Sequence, residues 1–273
     1  MAKKAKLASW ELPEKLFEAL QPFIPPKTSP IGRPREVDFR QILAGIFYVL
    51  RTGIQWQACP REKFGPPSTV YYYFSLWCQA GVFEKMWAVA LETYDELKGI
   101  DWTWQSVDGA MTKAPLGGED TGKNPTDRAK SGTKRSLLTE GAGIPIAIVT
   151  AGANRNDMKL LGKTLGATVI ARPVPTPEDP QHLCLDKGYD YADCHQEAIE
   201  NGYIPHIRSR GEEIAEKEKY PDKKARRWVV EVCHSWLNRF RKILVRFEKK
   251  RSQHLGLLAI ACAYIVLKRA EIF

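Results

Sequence analysis

The chain has 273 residues, of which 44% are hydrophobic and 27% are charged. These are ordinary values for a globular protein, they exclude wholesale disorder, and the length allows one large core with a small accessory domain. The formal net charge of +9 at pH 7 favours a polyanionic partner, although a basic balance alone is common among globular proteins.

The six cysteines are scattered and form no CxxC pair, which argues against a structural zinc site. The first six residues are basic and lack the apolar stretch of a secretory signal, so we expect reduced thiols and a cytoplasmic protein. Residues 255–267 are almost continuously apolar but too short to span a bilayer comfortably. We predict a buried core helix there and no association with a membrane.

Residues 1–100 have a helical pattern throughout, broken by a proline-rich stretch at 24–35. Residues 36–50 carry one apolar stripe at helical spacing. A second helix is predicted after Gly65-Pro66-Pro67, with Ser68 as its N-cap. Two helices joined in this way fit a small helix-turn-helix DNA-binding domain. A helical bundle whose aromatic residues are simply core fits the same pattern, and the sequence leaves both readings open.

From residue 101 to 273, short β-like runs alternate with helical segments. Strands are predicted around Val107, at 133–139, at 144–150, in the run that ends at Asp186, and at 203–207. Helices are predicted at 157–165 and 192–201, and residues 117–125 are predicted to be a loop. Strands first and then alternating helices and strands indicate an α/β domain with a mixed sheet flanked by helices.

Three acidic residues stand out within this second region. Asp108 lies in a strand-like run, where alternation places it at the strand's edge facing a cleft, and Asp186 directly follows an apolar run. Glu231 interrupts an apolar helical segment rich in neighbouring cations. Any one of them alone is more often a solvated surface carboxylate. Together, three such groups can hold two hard divalent cations, the arrangement used for in-line displacement at phosphorus.

The residues around these acids resemble a known family. Asp108-Gly109-Ala110, Asp186-Lys187-Gly188-Tyr189-Asp190 and the segment from Arg227 through Glu231 to Arg241 resemble the DDE transposases of bacterial insertion-sequence family five. Residues 31–87 are similar to that family's N-terminal helical DNA-binding domain. The resemblance covers nearly the whole chain and implies an RNase H-like fold. It places Asp108 on the first strand, Asp186 after the fourth and Glu231 on a later helix.

The resemblance implies a DNA transposase that binds the terminal inverted repeats of its insertion sequence and catalyses metal-dependent strand cleavage and strand transfer. Asp108, Asp186 and Glu231 are then both catalytic and metal-binding, with Asp108 bridging two Mg²⁺ ions and Mn²⁺ as a substitute. The implied partners are double-stranded DNA, as transposon ends and target, and a second copy of the chain in a homodimer or higher assembly. The implied location is the cytoplasm, at the nucleoid.

Two departures from the family pattern lie beside the third carboxylate. In the pattern Tyr-x2-Arg-x3-Glu-x6-Lys, Lys224 stands in place of the tyrosine and Asn238 in place of the lysine. We expect Arg239 to take over the basic contact. Neither departure removes a metal ligand.

Residues 223–250 contain ten Lys or Arg and two acids. Such a segment can neutralise DNA phosphates beside the metal site, although a solvated charged helix face gives the same composition. Further cations follow Asp108, in the loop and strand that come next. The predicted DNA-binding residues are Ser68, Thr69, Tyr71, Tyr72, Lys113, Lys123, Lys134, Arg135, Arg227, Arg239, Arg241 and Lys242.

Two other functions remain compatible with these motifs. A DNA-binding regulator domesticated from a transposase would keep the fold without the reaction, although the intact acidic triad argues against it. A metal-dependent nuclease would cut DNA without joining it to a target. Joining of 3′-hydroxyl ends to target DNA separates the nuclease from the transposase.

Overall fold

The computed structural model describes residues 8–25, 37–207 and 228–273. Its N-terminal part is helical, as predicted. The helices are α1 (Glu14–Leu20), α2 (Phe39–Thr52), α3 (Arg61–Phe64), α4 (Pro67–Gln79) and α5 (Val82–Lys98).

Capping residues explain where α2 begins and ends, and they correct the prediction for α4. Asp38 caps α2 because its carboxylate accepts the backbone N–H groups of Arg40 and Gln41. Gly53 ends α2 in the left-handed region, at φ 75°. In α4 the first residue is Pro67, so Ser68 lies inside the helix and the prediction of Ser68 as N-cap is wrong. Proline suits this position because the first helical N–H has no intrahelical acceptor anyway.

The second part of the chain contains one six-stranded mixed sheet. The strands β1 and β4 both pair antiparallel with β3, whereas β5 pairs parallel with β1 and β6 pairs parallel with β5. The two-residue strand β2 pairs with β3 inside the segment predicted to be a loop. The strands are β1 (Trp104–Lys113), β2 (Gly122–Lys123), β3 (Ser131–Thr139), β4 (Pro145–Gly152), β5 (His182–Leu185) and β6 (Ile204–Ile207).

Helices cover this sheet, which confirms the predicted mixed α/β class. A 3₁₀ turn, Asp157–Leu160, leads into the first of them, so the helix predicted at 157–165 is α-helical only in its second half. The helices are α6 (Leu161–Leu165), α7 (Ala192–Glu200), α8 (Trp228–Leu237), α9 (Arg241–Leu244) and α10 (Arg251–Arg269).

The helix α10 joins the two parts of the molecule. It is buried along most of its length, packs against α4 and α5, and also contacts β4 and α8, so its prediction as a core helix is confirmed. Gly256 allows the closest approach, since a Cβ there would lie 2.5 Å from Cys78 Sγ. Within the described ranges, no helix has both the length and the apolar character needed to cross a membrane.

Buried side chains continue from α1 through α5 to the sheet without a break. Trp87 of α5 donates its indole N–H to the carbonyl of Pro145 in β4, at 3.2 Å. The N-terminal helices are therefore packed directly against the sheet and its covering helix. The division of the chain at residue 100 stays a prediction.

Candidate active site

The strand β1 is longer than predicted, and its two neighbours differ in length. It continues to Lys113 because β3 pairs with it along the whole distance from Ser106. On the other side, β5 ends at Leu185. Asp108 therefore lies in the middle of β1, beyond the point where β5 has ended, and 27% of its side chain is exposed. Its predicted position facing a cleft stays a prediction.

The pairing of β1 with β5 brings two of the three predicted carboxylates to the same place. The paired positions run from Trp104 opposite His182 to Ser106 opposite Cys184. Asp108 and Asp186 each follow the last pair of this ladder by two residues, so both acids lie just beyond the paired part of the two strands. Asp186 caps the following turn by accepting the N–H of Gly188 at 2.7 Å.

The helix α8 carries Glu231 and packs across β1 and β3 on the side of Asp108. Its contact is made by His234, one turn after Glu231. The His234 Nε2 atom lies 3.8 Å from Asp108 Oδ2 and 3.4 Å from the Asp108 carbonyl oxygen. Glu231 itself is exposed to solvent. The structure therefore places Asp108 within β1, Asp186 directly after β5, and Glu231 on the helix that packs on β1 and β3.

His234 is uncharged in this position. Burial and the nearby charge of Arg135 lower the pKa of His234 from its ordinary 6.5 to about 3, although the Asp108 carbonyl opposes the shift. A neutral imidazole attaches α8 to β1 without adding a positive charge beside Asp108. The side chains of His234 and of its neighbour Cys233 are both buried and contribute to packing.

The opposite face of β1 holds a fourth carboxylate, Asp157, which the sequence offers only as a spare acid that competes for a metal role. A Cβ on Gly109 would lie 2.0 Å from Asp157 Oδ1, so Asp157 occupies the space that this glycine leaves open. Its other oxygen accepts Lys134 Nζ at 2.7 Å. Tyr189 is buried in the same region, where burial first and then the charges of Asp157, Asp108 and Asp186 raise its pKa. No spacing in the sequence predicts this arrangement, because it depends on how the 3₁₀ turn packs on the sheet.

The residues at this edge fit a divalent cation by chemistry and position. Carboxylate oxygens are the ligands that Mg²⁺ and Mn²⁺ prefer, and Asp108 and Asp186 both lie just beyond the last pair of β1 and β5. Among the described residues, however, no three His, Cys, Asp or Glu side chains are grouped closely enough to hold a metal ion. The expectation that all three acids share a metal site therefore stays a prediction.

The structure does not support DNA contact by three of the predicted basic residues, because their side chains are buried. Lys134 is bound to Asp157, and Arg135 donates to Asn238 Oδ1 at 2.6 Å. Lys242 lies 3.4 Å from Glu248, and both side chains are buried. Charged groups at these positions stabilise the interior instead of facing DNA. Asn238, which replaces the lysine of the family pattern, thus serves as the partner of Arg135.

The remaining predicted contacts have mixed positions. Thr69 is half-buried, and Tyr71 is joined to α10 by the amide N–H of Gln253, at 3.0 Å. Arg227 lies outside the described residues. The exposed members of the predicted set, which remain open to DNA, are Ser68, Tyr71, Tyr72, Lys113, Lys123, Arg239 and Arg241.

Arg246 shows that part of the basic segment 223–250 is structural. Its side chain is fully buried and donates to the carbonyls of Glu119 and Glu248 and to Thr133 Oγ1. Arg246 therefore fixes the loop before β2 against β3. The cations of this segment therefore do not form one continuous basic surface.

Comparison with known proteins identifies the class to which this fold and site belong. The family model of the transposase DDE domain matches residues 100–266, and the family described as "Putative transposase of IS4/5 family" matches residues 12–87. The first match covers more than half of the chain and includes the sheet, the three acids and most of α10. The chain is therefore an enzyme of the DDE type.

The chain belongs to the DDE transposases of the IS4/5 type and is a DNA transposase, which confirms the family and the enzyme class predicted from its motifs. It is 35% identical over 158 residues to a "Putative transposase for insertion sequence element IS402" of Burkholderia cepacia, a match covering 55% of this chain and 72% of the relative. An uncharacterized 16.2 kDa protein of the same insertion element is 28% identical over 41% of this chain and 79% of its own length. A crystal structure of the Mos1 mariner paired end complex with Mn matches at 9% identity, 85% coverage of both chains and a TM-score of 0.27.

Proposed function

We propose that this transposase binds the terminal inverted repeats of its own insertion sequence and uses Asp108, Asp186 and Glu231 to cleave and rejoin DNA strands. The observation that carries the proposal is the parallel pairing of β1 and β5, because Asp108 and Asp186 each follow its last pair, Ser106 with Cys184, by two residues. The contact of His234 with Asp108 supports the third assignment, because it holds the helix that carries Glu231 against the same strand.

Asp108 and Asp186 would hold a divalent cation, with Glu231 as the further ligand, and Mg²⁺ is the ion we propose. When bound, the metal supplies an activated oxygen nucleophile and charge stabilisation for the leaving oxygen. The protein's own residues keep the carboxylates in position. Asp186 is held by the N–H of Gly188, and Asp108 is held by β3 and by the neutral side chain of His234.

We further propose a homodimer or a higher assembly on DNA, acting in the cytoplasm at the nucleoid. Two transposon ends must be cut and joined in a coordinated way, and a symmetric pair of protomers provides one active site for each end. The net charge of +9 favours association with a polyanion.

Strand cleavage with single carboxylate variants tests the triad. A labelled duplex carrying the element's ends is incubated with the wild type, Asp108→Asn, Asp186→Asn or Glu231→Gln, in Mg²⁺, Mn²⁺ or EDTA. We expect metal-dependent cutting by the wild type and a loss of at least about a hundredfold in each variant, because several kcal/mol of charge stabilisation are removed. DNA binding should be retained.

The matched control is Glu96→Gln, the same chemical change at an exposed position of α5. It should cut like the wild type. Cutting that survives at the wild-type rate in any one of the three variants would remove that residue from the proposal. Recovery of 3′ ends joined to a target plasmid distinguishes a transposase from a nuclease that only cuts.

A further inference from the structure

A basic pocket lies where the ends of α2, α8 and α10 meet. Its cavity volume is about 280 Å³, room for roughly nine water molecules at their volume in the liquid. The pocket is therefore large enough for a phosphate group and part of the sugar next to it. Four of its lining residues are cations, namely Arg51, Arg239, Lys268 and Arg269.

These four cations lack an acidic partner among the residues that the structure describes. None of them forms an ion pair with an Asp or Glu side chain there. Burial and the neighbouring charge of Arg239 lower the pKa of Arg51, although Tyr264 opposes the shift. Gathering like charges in one cavity costs free energy unless an anion joins them.

Aromatic rings hold two of the guanidinium groups in place. The Arg51 Cζ atom lies 4.6 Å from the centroid of the Phe240 ring and 5.4 Å from that of Tyr264. Arg269 lies in the same way 5.1 Å from the Trp236 ring. Guanidinium groups oriented in this way lose little side-chain entropy when they bind a phosphate, because their positions are already fixed.

The pocket is fixed relative to the candidate active site. A Cβ on Gly53, at the end of α2, would lie 2.8 Å from Arg241 Cβ, so the end of α2 packs tightly on the segment that follows α8. Trp236, which lines the pocket, follows Glu231 by five residues on α8, about 7.5 Å along the helix axis.

We infer that this pocket binds a backbone phosphate of the DNA strand that reaches the Asp108–Asp186 edge, a few nucleotides from the phosphate that reacts. The inference rests on the proposed function and adds a contact formed jointly by the N-terminal helices and the C-terminal helix. Lys and Arg donors without a competing carboxylate match a phosphodiester, and the aromatic walls pack against its sugar.

The salt dependence of DNA binding tests the pocket. The probe is a labelled 40-base-pair duplex of mixed sequence, titrated between about 50 and 300 mM KCl. The pocket variant is Lys268→Gln/Arg269→Gln, which changes two exposed residues at the end of α10. The control variant is Lys85→Gln/Lys163→Gln, which removes the same charge at exposed positions outside the pocket.

The quantity compared is the slope of the logarithm of the DNA association constant against the logarithm of the salt concentration. We expect the magnitude of this negative slope to decrease by about 1 in the pocket variant and by clearly less in the control, because one phosphate contact is lost. Unchanged melting temperatures show that both variants are folded, and Arg239→Gln should reproduce the effect. Equal slopes in the pocket and control variants would overturn the inference.

Inorganic phosphate is the probe that distinguishes a DNA strand from a free anion as the ligand of the pocket. If 10 mM phosphate raises the melting temperature of the wild type but not of the pocket variant, while their DNA slopes agree, the pocket takes free phosphate and the inference is wrong. Failure of the proposed function is seen separately. A wild type that binds DNA with the expected slope difference but never cuts contradicts the catalysis and not the pocket.

Discussion

Gly109, beside Asp108, is a residue whose small size supports the candidate active site. Because Asp157 Oδ1 occupies the place of a Cβ there, Gly109→Ala must displace either Asp157 or β1. We expect Gly109→Ala to lower strand cleavage by at least about tenfold, equivalent to about 1.4 kcal/mol. The rate of cutting of end DNA, measured together with the melting temperature, checks this.

The control for that substitution is Gly166→Ala. Gly166 is the C-cap of α6 and has a negative φ, and a Cβ there would meet only Gly162 O, at 3.4 Å. This variant should cut normally. If Gly109→Ala is as active as Gly166→Ala, Asp157 has no part in positioning β1.

The buried histidines predict how stability depends on pH. Burial lowers the pKa values of His234 and His254 to about 3, well below their ordinary 6.5. Between these values the unfolded chain binds protons that the folded chain does not. The free energy of unfolding therefore falls as the pH decreases from about 6.5 towards 3.

We expect each of these histidines to contribute a slope of about 1 kcal/mol per pH unit in that window. His254→Leu should flatten the dependence by that amount, as measured by urea denaturation at pH 7.5, 5.5 and 4.5. A slope that is equally steep in His254→Leu would show that His254 does not titrate in this way.

At the scale of elements, α10 and α4 pack too closely to admit another methyl group. Gly256→Ala gains about 1 kcal/mol in helix propensity, but its Cβ would lie 2.5 Å from Cys78 Sγ and 3.1 Å from Phe83 Cδ2. Overpacking of this kind costs about 1 to 3 kcal/mol. We therefore expect a net loss of about 1 kcal/mol in the free energy of unfolding, measured in urea.

A second substitution tests the cause of that loss. Cys78→Ala removes the sulfur atom, and the added Cβ would then lie 3.7 Å from the Cβ at position 78, an ordinary contact. The double variant Cys78→Ala/Gly256→Ala should be more stable than the sum of the two single effects predicts. Strict additivity would mean that the contact with Cys78 is not what opposes the alanine.

The sequence pattern of α4 does not decide whether this helix is a core helix or part of a helix-turn-helix. The buried face of α4, with Val70, Phe74 and Trp77, fits both a core helix and the inner face of a helix-turn-helix. Tyr72 remains 60% exposed, whereas Tyr71 is attached to α10 through Gln253. The aromatic residues of this helix therefore divide between the core and the surface, and binding of DNA by α4 stays a prediction.

At the scale of the whole molecule, the continuous core predicts cooperative unfolding. The helix α10 covers α5 on one side and contacts the sheet on the other, so neither part of the chain completes its core alone. We expect one thermal transition for the full chain. A fragment of residues 1–100 should show no cooperative transition by circular dichroism, because it lacks the apolar face of α10. Cooperative melting of that fragment would instead establish it as an independent domain.

Much of the fold was predictable because its signals are local. Apolar periodicity identified α2, α7, α10 and the strands β3 and β6 to within a few residues, and the run before Asp186 identified β5. The two-residue strand β2 could not be predicted, because its pairing with β3 depends on a neighbour and not on its own sequence. The same is true of the length of β1, which β3 extends to Lys113.

The sequence by itself determined the family, the mixed α/β class and the three candidate carboxylates, because each lies in a short motif whose residues are neighbours in the chain. Only the tertiary structure decided which charged residues are available to DNA. Lys134, Arg135 and Lys242 are as basic in sequence as Arg239, but they are enclosed by packing and paired with Asp157, Asn238 and Glu248.

The basic pocket was also beyond the reach of the sequence. Arg51 and Arg269 are separated by more than two hundred residues, and no spacing connects them. They meet because the end of α2 packs on the segment after α8, and because α10 runs back across both parts of the molecule. Local motifs show which chemical groups the side chains carry. The burial of these side chains and their distances from one another arise only when distant segments pack together.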